Sequence, residues 1–321
     1  MTPSTLWPLY GVTLVTALTL HILPRLTRPE LFFAVTVAPS FPRSDEARRI
    51  VAGYRFELWL GTSVALGIVV VGGPQLLAIA ASQVTVLVAA LLAFLEARRR
   101  VLPHAVTPST VREVSLAPRS HRLPGGFVVQ LGPFALLAVA AVRGGRVIVP
   151  GLAVAAATCA MMLAFAVALQ RSSRRLTTRG AAGAAEGDFR RLSLVICVLV
   201  EYLVAATMAT IAVFGRVRWL GIVQPLATIG VVIALARLGQ GGSRRAAPAA
   251  EDDGPVADRT RDAQWKWGLI YVDREDPALL VEKRFGIGYT FNFGNPWSWA
   301  LLALLVVVAV GAMVLVGRAR L

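Results

Sequence analysis

The chain has 321 residues, of which 56% are hydrophobic and only 16% are charged. A typical soluble domain is about 45–50% apolar and about 25% charged, so this composition excludes an ordinary soluble domain and predicts an integral membrane protein. The net charge of +15 comes mainly from arginine, with 31 Arg against 2 Lys. These arginines lie between apolar runs rather than in one basic domain, which argues against a nucleic-acid partner.

The first apolar run extends from Leu6 to Leu23. A secretory signal peptide would begin with basic residues and end at a small-residue cleavage site. This run has no basic residue before it and is followed by Pro24 and Arg25. We therefore expect a first transmembrane helix that is retained in the protein.

Eight apolar runs are long enough, or nearly so, to cross a hydrocarbon core of about 30 Å, which requires about 20 helical residues. The predicted spans cover residues 5–23, 57–73, 75–95, 127–142, 147–169, 192–214, 219–236 and 297–316. The second and fourth are short, so seven spans is the nearest alternative. The sequence Gly72-Gly73-Pro74 predicts a tight break between the second and third spans.

The predicted fold class is therefore an all-α polytopic membrane helix bundle of about eight transmembrane helices. A small cytoplasmic β-containing module precedes the last helix. The predicted domains are a membrane domain over 1–236, a linker over 237–264, the module over 265–296 and the last transmembrane helix over 297–316.

The basic residues predict the orientation of the spans. The segments 24–56, 96–126, 170–191 and 237–296 carry 27 Lys and Arg, and the remaining loops and tails carry six. Cytoplasmic loops are enriched in Lys and Arg, so these four segments are predicted to be cytoplasmic. Both termini of this multi-pass protein of the cell membrane then lie outside, and the arginines are expected to attract anionic lipid headgroups.

The first cytoplasmic segment contains two predicted elements. The residues from Leu31 to Val37 form a short β-type run. A helix is predicted to begin near Ser44, because Asp45 and Glu46 then occupy its first turn. This helix is expected to lie in the membrane interface and to continue into the second span.

The other cytoplasmic segments have fewer structural signals. The segments 96–126 and 170–191 are predicted to be flexible connectors. Residues 237–264 are rich in Gly, Ala, Pro and charge and are predicted to form a disordered linker.

The C-terminal module, residues 265–296, has a dense pattern of aromatic residues and glycines. The residues from Leu269 to Val272 are a short β-type run, and the DREDP sequence that follows is typical of a turn ending at Pro277. Residues 278–284 are predicted to be either extended or one helical turn.

Large and small side chains alternate from Phe285 to Phe293. This period of two predicts a strand with one packed face and one nearly bare face, and the alternate glycines predict a close approach on the bare face. The aromatic residues around the module favour the membrane–water interface. The module is predicted to pack against the cytoplasmic end of the helix bundle. A platform that binds a peptide or ligand along the strand edge is the alternative.

Thirteen positions of the module carry a family resemblance. They are Trp265, Lys266, Trp267, Gly268, Asp276, Pro277, Lys283, Arg284, Phe285, Gly286, Gly288, Asn292 and Gly294. With these residues the module resembles a C-terminal domain of unknown function that occurs across bacteria, usually joined to a multi-pass membrane region.

The resemblance implies further expectations about the membrane region. The first cytoplasmic loop, FFAVTVAP followed by EARRIVAGYR, is similar to the corresponding loop of those proteins. The family's membrane region is related to the sporulation-delaying-toxin immunity protein, which combines immunity with signalling. Longer relatives carry an external segment with Pro-x-His-aromatic and Gly-x-Pro-Asp patterns, and this sequence lacks it. The resemblance therefore implies neither an external ligand nor catalytic residues.

Glu201 is the only acidic residue deep within a predicted span. A carboxylate at that depth costs roughly 2.5 kcal/mol or more, which favours a functional role as proton carrier, cation ligand or interhelical partner. The alternative is a protonated glutamic acid that is hydrogen-bonded to Gln224, Gln130, Gln83 or a backbone carbonyl.

No sequence motif indicates catalysis or metal binding. There is no HExxH or CxxC motif, His104 and His121 lack metal-ligand spacing, and Cys159 and Cys197 lie in apolar runs where packing is expected. We therefore expect no enzymatic activity, no cofactor and no metal. The predicted function is a non-enzymatic regulatory, signalling or immunity-like role, with the lipid bilayer and an unidentified protein at the module as partners. The alternative is a small secondary transporter with Glu201 as its coupling carboxylate.

Overall fold

The computed structural model describes residues 7–28, 30–73, 76–106, 124–144, 149–172, 181–215, 220–240, 260 and 262–318. These residues are mostly helical. The helices are α1 Trp7–Leu26, α2 Asp45–Gly72, α3 Leu76–Val101, α4 Gly126–Gly144, α5 Val149–Ser172, α6 Ala181–Phe214, α7 Leu220–Leu238 and α8 Pro296–Arg318. The strands are β1 Leu31–Phe32, β2 Val35–Thr36, β3 Trp265–Lys266, β4 Ile270–Tyr271, β5 Leu280–Glu282 and β6 Tyr289–Phe291.

A helix forms at each of the eight predicted spans. Within the described residues, α2, α3, α5 and α6 are long and apolar enough to cross a membrane, and α1 and α4 contain shorter apolar stretches. The structure thus contains four candidate membrane-spanning helices, and the count of eight spans stays a prediction. The predicted break between the second and third spans is confirmed, because α2 ends at Gly72 and α3 begins at Leu76.

The chain divides into two compact units. Unit 1 comprises residues 1–111, 248–269 and 283–287, and unit 2 comprises residues 112–247, 270–282 and 288–321. The C-terminal module therefore contributes residues to both units.

Unit 1 is built on the antiparallel helices α2 and α3. The side chain of Ser44 accepts a hydrogen bond from the Ala47 N–H at 3.1 Å, which confirms the predicted start of α2. The single helix α2 also confirms that this helix continues into the second span. A Cβ on Gly61 would lie only 2.2 Å from the Cβ of Ala89, so the small residue allows the two helices to approach closely.

A short hairpin of unit 1 confirms the predicted β-type run in the first loop. Strands β1 and β2 pair antiparallel, with Phe32 opposite Val35. The two turn residues, Phe33 and Ala34, have φ of 44° and 60° and are both fully buried. A two-residue hairpin turn needs positive φ, which residues other than glycine adopt at a cost.

Unit 2 contains two apolar clusters. Helices α4, α5 and α6 pack around the first, which includes Leu137, Cys159 and Ala205. The second joins α5 and α6 to the module, with Cys197 and Leu280 among its buried residues. Both cysteines are buried and free, which confirms that they are packing residues.

The strand predicted from Phe285 to Phe293 is only partly present. Strand β6 covers Tyr289–Phe291 and pairs antiparallel with β5, while the residues before it are irregular. The prediction is wrong there because Gly286 and Gly288 have φ of 80° and 107°, outside the extended region. For residues 278–284, the structure selects the extended alternative over its central part, as β5.

The predicted connectors and linker are described in part. The segment 170–191 is not a connector throughout, since α5 extends to Ser172 and α6 begins at Ala181. Alanine is the strongest helix former, so its alanine-rich second half extends the helix. Most of 96–126 beyond residue 106 and most of 237–264 lie outside the described residues, and their predicted flexibility stays a prediction.

Candidate functional site

The segment 283–287 of the module carries the side chain that enters the core of unit 1. The ring of Phe285 is 8% exposed and stacks on Phe33, with centroids 5.4 Å apart and planes at 22°. Its centroid lies 4.6 Å from that of Phe94 on α3 and 6.3 Å from that of Tyr54 on α2. We call Phe33, Tyr54, Phe94 and Phe285 the aromatic cluster. Packing of the module against helices, as predicted, is therefore confirmed.

The strained hairpin turn is held in place by Arg98. Its Nη1 donates hydrogen bonds to the carbonyl oxygens of Phe33 and Ala34, at 3.3 and 2.7 Å. Gly268 of the module contacts the same groups, because a Cβ at this residue would lie 2.7 Å from Arg98 Nη1 and 2.8 Å from the Ala34 Cβ. The glycine thus permits a close approach that no other residue allows.

Backbone strain is concentrated at this place. Among the described residues, the only ones other than glycine with positive φ are Phe33, Ala34 and Trp267. All three lie at the aromatic cluster or directly beside Gly268. Such conformations cost about 1–3 kcal/mol each and cluster at functional sites.

Gly286 fixes the backbone next to Phe285. Its N–H donates a hydrogen bond to Thr27 Oγ1 at 3.0 Å, directly after the end of α1. Its φ is 80°, and a Cβ there would lie 2.8 Å from the Cγ of Leu23. Both the left-handed conformation and the lack of space therefore require glycine.

Arg284 is a buried anchor rather than a surface cation. Its guanidinium is bonded to the Asp262 carboxylate and to the carbonyl oxygen of Thr260. The guanidinium carbon also lies 5.4 Å from the ring centroid of Trp265, within the range of a cation–π contact. The indole N–H of Trp265 donates a hydrogen bond to Thr260 Oγ1 at 2.9 Å.

Asn292 organises the part of the module that belongs to unit 2. Its side chain is fully buried and uses all of its hydrogen-bonding capacity. Oδ1 accepts from the N–H groups of Asp273 and Gly294, each at 3.0 Å. Nδ2 donates to the carbonyl oxygens of Asp273 and Asp276, at 2.8 and 2.9 Å. The side chain therefore fixes the DREDP turn to the chain directly after β6.

The DREDP turn has further internal bonds. The hydroxyl of buried Tyr271 donates to Oδ2 of both Asp276 and Asp273, at 3.2 and 3.3 Å. Burial, and then these carboxylates, raise the pKa of Tyr271 far above its usual range. The carbonyl oxygen of Pro277 accepts a hydrogen bond from Asn295 Nδ2 at 3.0 Å. A Cβ on Gly294 would lie 2.4 Å from the backbone carbonyl of Asp273, so this position also requires glycine.

Gln240 is a site residue that the sequence analysis missed. Its side chain is fully buried and exchanges two hydrogen bonds with the backbone of Gly288, at 2.7 and 2.9 Å. The residue stands in a glycine-rich sequence that reads as the start of a linker, so no local pattern indicated this role. The left-handed φ of Gly288 presents both its N–H and its carbonyl to one amide.

Glu201 is fully buried on α6. Neither of its carboxylate oxygens has a hydrogen-bond partner among the described residues, and the same holds for the side-chain amide of Gln130 on α4. Gln83 bonds to Thr13 of α1 instead, and the side chain of Gln224 on α7 lies outside the described residues. Among the described side chains, none of the predicted amides therefore satisfies the carboxyl group.

Four residues of the family resemblance are exposed, and one of them, Pro277, is part of the DREDP turn. Lys266 points away from the core, and Trp267 is 70% exposed despite its strained φ of 52°. Lys283 is also exposed and makes no hydrogen bond or ion pair within the described part of the chain. Part of the Lys283 side chain is open to solvent, but the protein around it partly desolvates the ammonium group, which lowers the pKa of Lys283.

Potential metal ligands are not brought together in the described regions. No group of three or more His, Cys, Asp and Glu side chains there could hold an ion. Asn292 and Asn295 bond to the module's own backbone, which is a structural role.

Comparison with known proteins supports the resemblance of the module alone. The model of a family described as "Family of unknown function (DUF5808)" matches residues 274–299. This range contains residues 274–277 of the DREDP turn, β5, β6 and the start of α8. No curated protein matches the chain. No solved structure matches it either. The chain is thus similar to a domain of unknown function over a short C-terminal part of its length.

Proposed function

We propose that this protein is a non-enzymatic membrane protein with a regulatory or signalling role, in which the C-terminal module links a protein partner to the helix bundle. The observation that carries the proposal is the position of the module's side chains in the helical cores. Phe285 belongs to the core of unit 1, and Leu280 belongs to that of unit 2. A partner that shifts the module would therefore repack helices.

Trp267 is the residue proposed to contact the partner. A bulky residue with positive φ is a conformational outlier, and Gly268 beside it packs closely against Arg98 and Ala34. Large exposed aromatic residues on a rigid backbone are typical binding hot spots. The backbone strain at Trp267 supports this role, because a flexible loop in solvent would relax to negative φ, so the surrounding structure must hold this residue in place.

The proposal includes a topology and a functional class. The 27 Lys and Arg in four segments, against six elsewhere, favour eight spans with the module in the cytoplasm. The immunity-like class is proposed because the first cytoplasmic loop is similar to that of the module's family, whose membrane region is expected to be related to the sporulation-delaying-toxin immunity protein. Reporter fusions after Arg237 test the topology, since activity only in the extracellular compartment would contradict it.

A photo-crosslinking amino acid at position 267, introduced in the producing cell, tests the partner. Deletion of residues 265–296 is a poor test because it removes core side chains from both units. We expect a discrete protein adduct at position 267. Phe285→Ala should reduce the yield of this adduct, because the change weakens the docking of residues 283–287. Position 297 is the control, since Trp297 is similarly exposed in unit 2. Lipid adducts alone at position 267 would rule out the protein partner.

Glu201 supports a second candidate function, a small secondary transporter. The hydroxyl of Tyr202 donates to the carbonyl oxygen of Val129 at 2.9 Å. Glu201 precedes Tyr202 and Gln130 follows Val129, so the two unsatisfied side chains lie at one level of the α4–α6 pair. Buried polar groups without partners in a membrane helix pair are candidates for a proton or cation site.

Proton flux into vesicles that contain the purified protein tests this candidate. Under an imposed membrane potential, Glu201→Gln should abolish the flux because it removes the titratable group. Glu57→Gln is the matched control, since it makes the same change on α2. Flux that persists in Glu201→Gln would exclude Glu201 as the coupling carboxylate.

A further inference from the structure

A groove in unit 1 lies between the helices and the docked segment of the module. Its volume is about 300 Å³, at the lower end of the range for small-molecule sites. Leu20 and Leu23 of α1 line it, together with Leu87 and Leu91 of α3. Lys283 and Phe285 belong to its module end.

The helical wall of the groove is apolar and open. Leu87 and Leu91 remain 53% and 44% exposed, although they line the cavity. Helix α3 is one of the four candidate membrane-spanning helices. The distance from Leu87 to Phe94 along this helix is about 10 Å, at 1.5 Å per residue. In a bilayer this wall faces hydrocarbon, so an alkyl chain can lie against it.

The module end of the groove is cationic. Arg284, the residue after Lys283, also lines the groove, Arg98 lies near Arg284, and the Asp262 carboxylate bonds to Arg284. Lys283 adds a positive charge that no described carboxylate pairs with. An anion beside it would offset the desolvation that lowers its pKa.

We propose that this groove binds one anionic phospholipid, with an acyl chain against the leucines and the phosphate beside Lys283. A peptide segment fits less well, because its backbone polar groups would lack partners along the apolar wall. A helix of a second copy is about 10 Å wide and exceeds the cavity. The inference requires α3 in a bilayer and is independent of a protein partner at Trp267.

Lys283 and Lys266 are the only lysines of the chain, which allows a sharp experiment. The full-length protein is placed in nanodiscs of phosphatidylcholine with or without phosphatidylglycerol, and amine labelling of each lysine is measured by peptide mass spectrometry. We expect phosphatidylglycerol to slow the labelling of Lys283 severalfold relative to Lys266. Equal slowing of both lysines would indicate surface charge alone and would overturn the proposal.

Two pairs of variants separate the contacts of the lipid headgroup from those of its acyl chain. Lys283→Gln should weaken retention of phosphatidylglycerol, counted by native mass spectrometry, about fivefold, the attraction of one basic residue to an anionic surface. Lys266→Gln should not. Leu91→Trp fills the groove and should also reduce retention, whereas Leu92→Trp, on an exposed residue outside the lining, should not.

Three further outcomes would overturn the proposal. One is unchanged retention in Lys283→Gln. Another is equal protection of Lys283 by phosphatidylcholine alone, which would show that the groove binds an acyl chain without a preference for anionic headgroups. The third is protection that depends on protein concentration, which would indicate a second copy in the groove.

Discussion

Replacement of Phe285 by alanine is the most direct test of the docked module. The ring lies within 4.6–6.3 Å of the other three rings of the aromatic cluster. A buried Phe→Ala change costs about 3–5 kcal/mol, because apolar contacts are lost and a cavity remains. The strained turn at Phe33 limits how far the surroundings can collapse. We therefore expect a loss of about 3–5 kcal/mol in the local stability of the docked segment.

Hydrogen exchange is the appropriate measurement, because the chain has two units and a single unfolding free energy is not defined for it. The N–H of Gly286 donates to Thr27 and reports directly on docking. A loss of 3–5 kcal/mol corresponds to roughly 10²–10⁴-fold faster exchange, up to the limit set by the wild-type opening equilibrium. Peptides that cover residues 283–287 should show this change.

Phe56→Ala provides the matched control for this experiment. Phe56 lies on α2 and is 70% exposed, so the same truncation there removes few protein contacts. Its effect on exchange in 283–287 should be small. If Phe285→Ala exchanged no faster than Phe56→Ala, the aromatic cluster would not hold the module, and the reasoning would be refuted.

Three further predictions concern single contacts. Gly286→Ala should weaken docking more than Gly288→Ala in the same exchange assay, because both residues have positive φ but a Cβ would clash with Leu23 only at Gly286. Equal effects would mean that the positive φ alone determines the loss of docking. Ser44→Ala should speed hydrogen exchange in the first turn of α2 about fivefold, which corresponds to about 1 kcal/mol from loss of its N-cap, and no change would contradict the cap. Lys283 should be labelled at lower pH than an ordinary lysine, whose pKa is about 10.4, because desolvation lowers its pKa. The folded state then binds fewer protons than the unfolded chain, so stability should rise with pH between the lowered pKa and about 10.4.

Local features of the fold could be predicted from the sequence. The start of α2 follows from Ser44 and the two acidic residues after it, because a helix cap involves neighbours only. The break after Gly72 is local for the same reason. Apolar runs located the helices, since their composition is a property of consecutive residues.

The alternating pattern after Lys283 predicts a strand from Phe285, and this prediction is wrong over residues 285–288 for a physical reason. A period of two predicts a strand only if every residue is extended, and glycine can leave that region without cost. Gly286 and Gly288 both do so. As a result Phe285 joins the core of unit 1, while Tyr289 and Phe291 pack in unit 2.

Contacts between distant segments could not be predicted. Thr27 and Gly286 are 259 residues apart, and nothing near either one indicates the other. The same holds for Gln240 and Gly288. Phe33 was seen as part of a β-type run, but its strained turn and its stacking on Phe285 depend on Arg98 from α3.

The structure separates the residues of the family resemblance into two groups. Most have a structural role. Phe285 packs in the core of unit 1, Arg284 binds Asp262 and Thr260, and Asn292 holds the DREDP turn. Lys266, Trp267 and Lys283 are exposed, and packing does not explain them. A residue that packing does not require is the better candidate for binding. Variants of these three side chains should therefore change ligand or partner binding while the fold persists, whereas variants of the buried group should change both together.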